Sequence, residues 1–215
     1  MKCFIFDLDG VLTETSREHF LAWKELADEL GITIDLEFNE NLKGISRRKS
    51  LEKILEHGKM LHKFTEAEIE ALLTKKNRSY LQSIKNLTKA DAFNGVDELL
   101  STLKEHHCKL ALASASKNAP LIIEALEITK YFDYIVDPAN IKGKPAPDIF
   151  LAASNYFQIE PHLCVGVEDS QAGIKAIKAA KMYAVGIGDK SKLTEADVVY
   201  TNIAEFNNNL HKLLH

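Results

Sequence analysis

Asp7 and Asp9 stand two residues apart directly after the run Cys3-Phe4-Ile5-Phe6, and Gly10 follows them. A short apolar, aromatic run of this kind reads as a buried strand. Both carboxylates are therefore set at the end of a strand, where Gly10 permits a sharp turn. Carboxylates this close repel each other, and both stay ionised only beside a cation. Magnesium suits such a pair, because it prefers hard oxygen ligands and keeps waters and substrate phosphate oxygens around it. A carboxylate can also attack phosphorus and form an acyl phosphate. The alternative for an isolated Asp-x-Asp is a loop of solvated aspartates. The strand before it and the continuation Gly10-Val11-Leu12-Thr13 weigh against that.

Other residues capable of chemistry also sit at the ends of apolar runs. Ser114 follows Lys109–Ala113. Glu168 and Asp169 follow Leu163–Val167 and precede Ser170, a good cap for the next helix. Acids at a helix start are also favoured by the helix dipole, which is the alternative reading of this pair. Lys144 lies between Gly143 and Pro145, either a functional cation or a solvated loop charge, with an extended backbone and a peptide bond of either isomer.

The elements needed to position these residues alternate along the chain. Strand-like runs recur at Tyr134–Val136 and Tyr183–Ile187, with a weaker one at Val198–Tyr200. Between them Gly95–His107, Asn118–Leu126, Pro147–Phe157 and Ser170–Ala180 show helical spacing. Such alternation implies βαβ units and a parallel sheet, which binds ligands outside the carboxyl ends of its strands. From Thr15 to Leu87 no buried strand is evident; Ser16–Leu30, Arg47–Glu56 and Thr65–Ile84 read as helices of an inserted lobe. The predicted organisation is an α/β core at 1–14 and 88–215 and a helical domain at 15–87. Over Thr15–Ala90 there are 14 Lys and Arg against 12 Asp and Glu, leaving 13 against 19 elsewhere. An acidic sheet domain suits a cation, and a slightly basic lobe suits a phosphorylated ligand.

Composition narrows the classes further. A net charge of −4 over 215 residues argues against nucleic acid as the main partner. The apolar stretches are too short to span a bilayer, so no membrane association is expected. The chain opens at once on a strand-like run, leaving no room for a targeting segment. Cys3, Cys108 and Cys164 lie in or beside apolar runs and read as reduced, buried thiols of a cytoplasmic protein.

Asp7-Leu8-Asp9-Gly10-Val11-Leu12-Thr13 after an N-terminal strand resembles the first motif of the haloacid dehalogenase superfamily. Leu110–Ser114, Lys144-Pro145 and Val165–Ser170 resemble its remaining motifs, in order. The lobe after the first motif resembles the mobile cap of the phosphoglucomutase branch, as do His19, Phe20 and Trp23, Leu42–Arg47 and Ala113–Asn118. The resemblance implies a doubly wound, Rossmann-like parallel sheet with an inserted helical cap, a magnesium ion, a small phosphorylated sugar as substrate and a monomer. The implied reaction converts β-glucose 1-phosphate to glucose 6-phosphate through an aspartyl phosphate and glucose 1,6-bisphosphate. A phosphatase acting on small sugar phosphates is the alternative, and a non-catalytic sugar-phosphate binder is a more distant one.

The same resemblance implies roles. Asp7 is the nucleophile and Asp9 the acid and base. Asp169 binds the metal directly and Glu168 through water, with the Asp7 side chain and the Asp9 carbonyl completing the set. Ser114 and Lys144 grip the transferring phosphoryl group. Arg47 of the lobe, with Ser116, Lys117 and Asn118, forms a second phosphate site, and Asn118 also caps the following helix. Gly44, Ile45 and Ser46 meet the sugar. His19 orders Asp9 and the closing cap. Trp23 is either a sugar contact or lobe core, and Lys76 either a ligand contact or part of a wet helix face. Arg48 and Lys49 are expected in solvent. One departure is Glu14, where the branch commonly has Asp; the longer side chain at the presumed hinge points to altered closure kinetics, the alternative being a shifted substrate preference.

Overall fold

The computed structural model describes residues 2–214. Strand β1 (Cys3–Phe6) is followed by helices α1 (Ser16–Glu29), α2 (Leu36–Glu40), α3 (Arg47–His57) and α4 (Glu66–Ile84). The chain continues through α5 (Val96–Glu105), β2 (Lys109–Leu112), α6 (Ala119–Ala125), β3 (Tyr134–Ile135) and α7 (Asp148–Phe157). It ends with β4 (Cys164–Glu168), α8 (Gln171–Ala179), β5 (Tyr183–Ile187), β6 (Val198–Tyr200) and α9 (Ile203–Asn209). Two compact units result: Met1–Glu14 with Leu87–His215, and Thr15–Asn86.

In the first unit the strands form a six-stranded sheet in the order β3-β2-β1-β4-β5-β6. Every pair is parallel. All four residues of β1 are buried, because helices cover both faces of such a sheet. Strand order reverses between β1 and β4, the switch point at which α/β sheets bind ligands. The register places Phe6 beside Leu112 on one side and Val167 on the other. Asp7, Ala113 and Glu168 are therefore level at the carboxyl edge. One face of the sheet packs through Cys3, Ile5, Ala111 and Cys164 onto Phe150, Ile174 and Ile177 of α7 and α8. The three cysteines are free and buried, as expected.

The second unit is helical. Its core joins Trp23 and Leu26 of α1 to Leu51, Ile54 and Leu55 of α3 and to Ile69 and Leu73 of α4. A capping box starts α4: the Thr65 hydroxyl accepts from the Glu68 amide while Glu68 accepts from that of Thr65. Among the described residues no helix is long and apolar enough to cross a membrane.

Candidate active site

Asp7 emerges from β1 with its amide bonded to the Val167 carbonyl at 3.0 Å, which fixes it against β4. The chain then doubles back: the amides of Leu12 and Gly10 reach the carbonyls of Leu8 and Thr13, each at 2.8 Å. Gly10 has φ +76°, and a Cβ there would lie 2.1 Å from Asp169 Oδ2. The turn is thus open to glycine for two reasons, conformation and the close approach of Asp169.

Oxygens of Asp7, Glu168 and Asp169 lie within 4.8 Å of one another, the spacing of a metal site. Lys144 is fully buried and donates to Asp7 Oδ1 at 2.6 Å and to Glu168 Oε1. Its ammonium lies 5.3 Å from the centre of the Phe150 ring. The other Glu168 oxygen accepts from the amides of Asp169 and Ser170, each at 3.0 Å, and from the Ser170 hydroxyl at 2.9 Å. Glu168 is consequently held from both ends. The Lys144-Pro145 peptide is cis.

The electrostatics follow from this crowding. The Asp7 carboxyl is pushed up to about 7, chiefly by burial, with Lys144 opposing the rise and Glu168 and Asp9 adding to it. Burial also works to strip the proton from Lys144, but Asp7 and Glu168 overcome it and hold the ammonium above the ordinary lysine value. One ammonium is shared between two buried carboxylates, with Asp169 beside them. The donors are all hard oxygens, and the residual negative charge fits a divalent cation.

Ser114 follows β2 and is buried. Its Oγ accepts from the Ser116 amide at 3.1 Å, and Ser116 Oγ accepts from that of Asn118 at 3.2 Å. These serial turns shape the loop from β2 to α6, leaving Lys117 exposed. The structure corrects the expectation for Asn118: it sits at the cap position, but its side chain makes no capping hydrogen bond. The adjacent Ser116 hydroxyl already organises that backbone.

In the helical unit, Gly44 has φ +71° and leads into α3, where Ser46 accepts from the Lys49 amide as the cap. Ile45 is half-buried, and Arg47 opens the helix. Burial lowers the Arg47 guanidinium from its usual value, opposed by Tyr80 and Glu70. Arg48 keeps 40% of its side chain exposed, as expected of a solvated charge, and is ion-paired there. It binds Glu52 Oε1 at 2.9 Å and Glu66 Oε2 at 2.8 Å, linking α3 to the first turn of α4. Lys49 is exposed.

Lys76 is no part of a wet helix face: it is 2% exposed. Its Nζ bonds to His19 Nδ1 at 2.7 Å and lies 4.8 Å from the ring centres of both Trp23 and Tyr80. Where Lys76 is an ammonium it can only donate, and Nδ1 is then the acceptor. Burial, then the charges of Lys76 and Arg47, lower the His19 pKa well below the ordinary histidine value, so the ring is neutral. Trp23 is packed into the lobe core.

Sequence reasoning missed Gly173 and Tyr80. A Cβ at Gly173 would meet the Glu168 carboxyl at 1.9 Å. The only signal was a glycine in the first turn of a helix behind an acidic strand end.

The doubly wound parallel sheet with an acidic strand-end cluster and a buried lysine defines the class. The chain matches the model of the haloacid dehalogenase-like hydrolases over residues 1–181 and belongs to that family. Within it, the chain is 48% identical to a β-phosphoglucomutase of Bacillus subtilis over 200 residues, 93% of this chain and 88% of that protein. A crystal structure of β-phosphoglucomutase from Clostridium difficile superposes with a TM-score of 0.96 at 40% identity, covering 100% of this chain and 97% of the other. A phosphorylated-carbohydrate phosphatase of Thermotoga maritima is 30% identical, over 93% of both proteins.

Proposed function

We infer that this chain is a phosphomutase that interconverts β-D-glucose 1-phosphate and glucose 6-phosphate. The observation that carries the choice of reaction is the 48% identity to the Bacillus mutase across 93% of the chain. Phosphoryl transfer itself is supported by the geometry around Asp7, a buried carboxylate in the grip of Lys144 at a ligand-binding sheet edge.

In this reading Asp7 carries the phosphoryl group. Its phosphorylated form donates to the 6-hydroxyl of β-glucose 1-phosphate while Asp9 takes the hydroxyl proton. The resulting glucose 1,6-bisphosphate turns around. Asp7 then attacks the phosphorus on O1, the O1–P bond breaks, and Asp9 returns its proton to the leaving oxygen. Lys144 and Ser114 stabilise the charge on the equatorial phosphoryl oxygens. Asp7, Asp169 and the Asp9 carbonyl would hold Mg2+, with Glu168 acting through water. When bound, the ion neutralises repulsion between the nucleophile and the phosphoryl oxygens. Arg47, with Ser116, Lys117 and Asn118, serves the non-reacting phosphate, and Gly44, Ile45 and Ser46 shape the sugar site. The helical unit acts as a cap that keeps water from the aspartyl phosphate.

A coupled assay with Mg2+ and a trace of glucose 1,6-bisphosphate tests this. Glucose 6-phosphate is expected from the β-anomer and not from the α-anomer. Release of inorganic phosphate without glucose 6-phosphate would instead establish the phosphatase reading.

A further inference from the structure

Tyr80 lies on α4, four residues before the helix ends and the chain leaves the helical unit. It is fully buried and touches two different parts of that unit. Its hydroxyl bonds to Thr15 Oγ1 at 3.0 Å, and Thr15 is the first residue of the unit. Its ring stacks on the His19 imidazole, with centroids 3.9 Å apart and planes 25° apart. The same ring receives the Lys76 ammonium at 4.8 Å from its centre. One side chain therefore joins the residue where the chain enters the lobe to the last part of the helix by which it leaves. It also walls the His19–Lys76 pair.

We propose that Tyr80 is a positioning residue that makes the root of the helical lobe rigid and holds His19 and Lys76 in register with it. The hydroxyl and the ring have separable duties. The Thr15 contact ties the incoming and outgoing connections, so the lobe turns as one body rather than fraying at α1. The ring fixes the plane of the imidazole, so that Lys76 meets Nδ1 and the Nε2 proton points in one direction. A buried hydroxyl pair and a stacked, cation-bearing ring both restrict motion more than an apolar contact of equal size. The consequence for catalysis rests on the mutase reading above: a loosened root exposes the aspartyl phosphate to water for longer.

Two variants separate the duties. Tyr80→Phe keeps the ring and removes the hydroxyl. Its melting temperature should fall by only a few degrees, while glucose 6-phosphate formed per inorganic phosphate released falls about threefold to tenfold, the worth of one buried hydrogen bond. A double-mutant cycle with Thr15→Val should be non-additive. Tyr80→Leu removes the ring, and the 15N resonances of the His19 imidazole, assigned by their loss in His19→Gln, should move away from the single Nε2–H tautomer. In Tyr80→Phe they should not move. Unchanged partitioning with additive Tyr80→Phe and Thr15→Val effects, or an unchanged imidazole in Tyr80→Leu, would overturn the proposal. The imidazole readout needs no substrate, so it stands even if wild-type protein fails to make glucose 6-phosphate, a result that would sink only the mutase reading.

Discussion

Asp7 has to attack as a carboxylate where burial favours its protonated form. Its carboxyl is raised from 3.8 to about 7, with burial the largest cause. A folded acid raised in this way binds its proton over a window where the unfolded chain has released it. Stability from this group is therefore present at low pH and lost as pH rises from 3.8 towards 7. Chelator-treated protein should melt at progressively lower temperature across that window, and added Mg2+ should raise the melting temperature most at its upper end. A Mg2+ effect independent of pH would contradict the assignment of Asp7 as a ligand. Gly173→Ala tests the support behind Glu168. The new Cβ would lie 1.9 Å from the Glu168 carboxyl, which must then move and drag Lys144 with it. Overpacking of this kind costs about 1–3 kcal/mol of stability. Activity should fall by more than the fraction unfolded explains, measured as kcat on protein shown to be folded by circular dichroism.

At the scale of elements, strand ends do most of the positioning. The parallel register sets Asp7 level with Glu168, and the cap of α8 completes the arrangement because Ser170 Oγ bonds both Glu168 and the Gly173 amide. Ser170→Ala should cost about 1–2 kcal/mol by chemical denaturation, with a parallel loss of Mg2+ affinity by titration. A stability loss without any change in Mg2+ binding would confine Ser170 to capping. These elements were readable because β1 is apolar on both faces and the acids interrupt it and β4 abruptly. Helix α2 was not: its five residues are too few to show a period, and its Leu36 is 70% exposed. Helix α9, with three asparagines in seven residues, also lacks a helical signature and starts on the side-chain cap of Asn202. Lys76 looked solvated in the run Lys75-Lys76-Asn77-Arg78, because only tertiary packing shows that His19, Trp23 and Tyr80 enclose it. Gly173 was illegible for the same reason, since its need arises from a carboxylate at the end of a different element.

At the scale of the molecule, the chain leaves the sheet after its first strand and returns at Leu87, so one insertion supplies a whole helical unit. If that unit serves the non-reacting phosphate, Arg47→Ala should raise the KM for glucose 1,6-bisphosphate about 10–100-fold, the worth of charge-assisted contacts to phosphate. The aspartyl phosphate should still form at saturating bisphosphate. Asp7→Asn should instead lower kcat by at least about 10³-fold, because it removes the carboxylate that carries the phosphoryl group in this reading. The decisive measurement is chemical trapping of the phosphorylated residue. Protein primed with glucose 1,6-bisphosphate and Mg2+ is quenched, reduced with borohydride and sequenced by mass spectrometry. Homoserine should replace aspartate at position 7 in the primed sample alone. Its appearance at another aspartate, or its absence from a sample that turns over, would contradict phosphoryl transfer through Asp7.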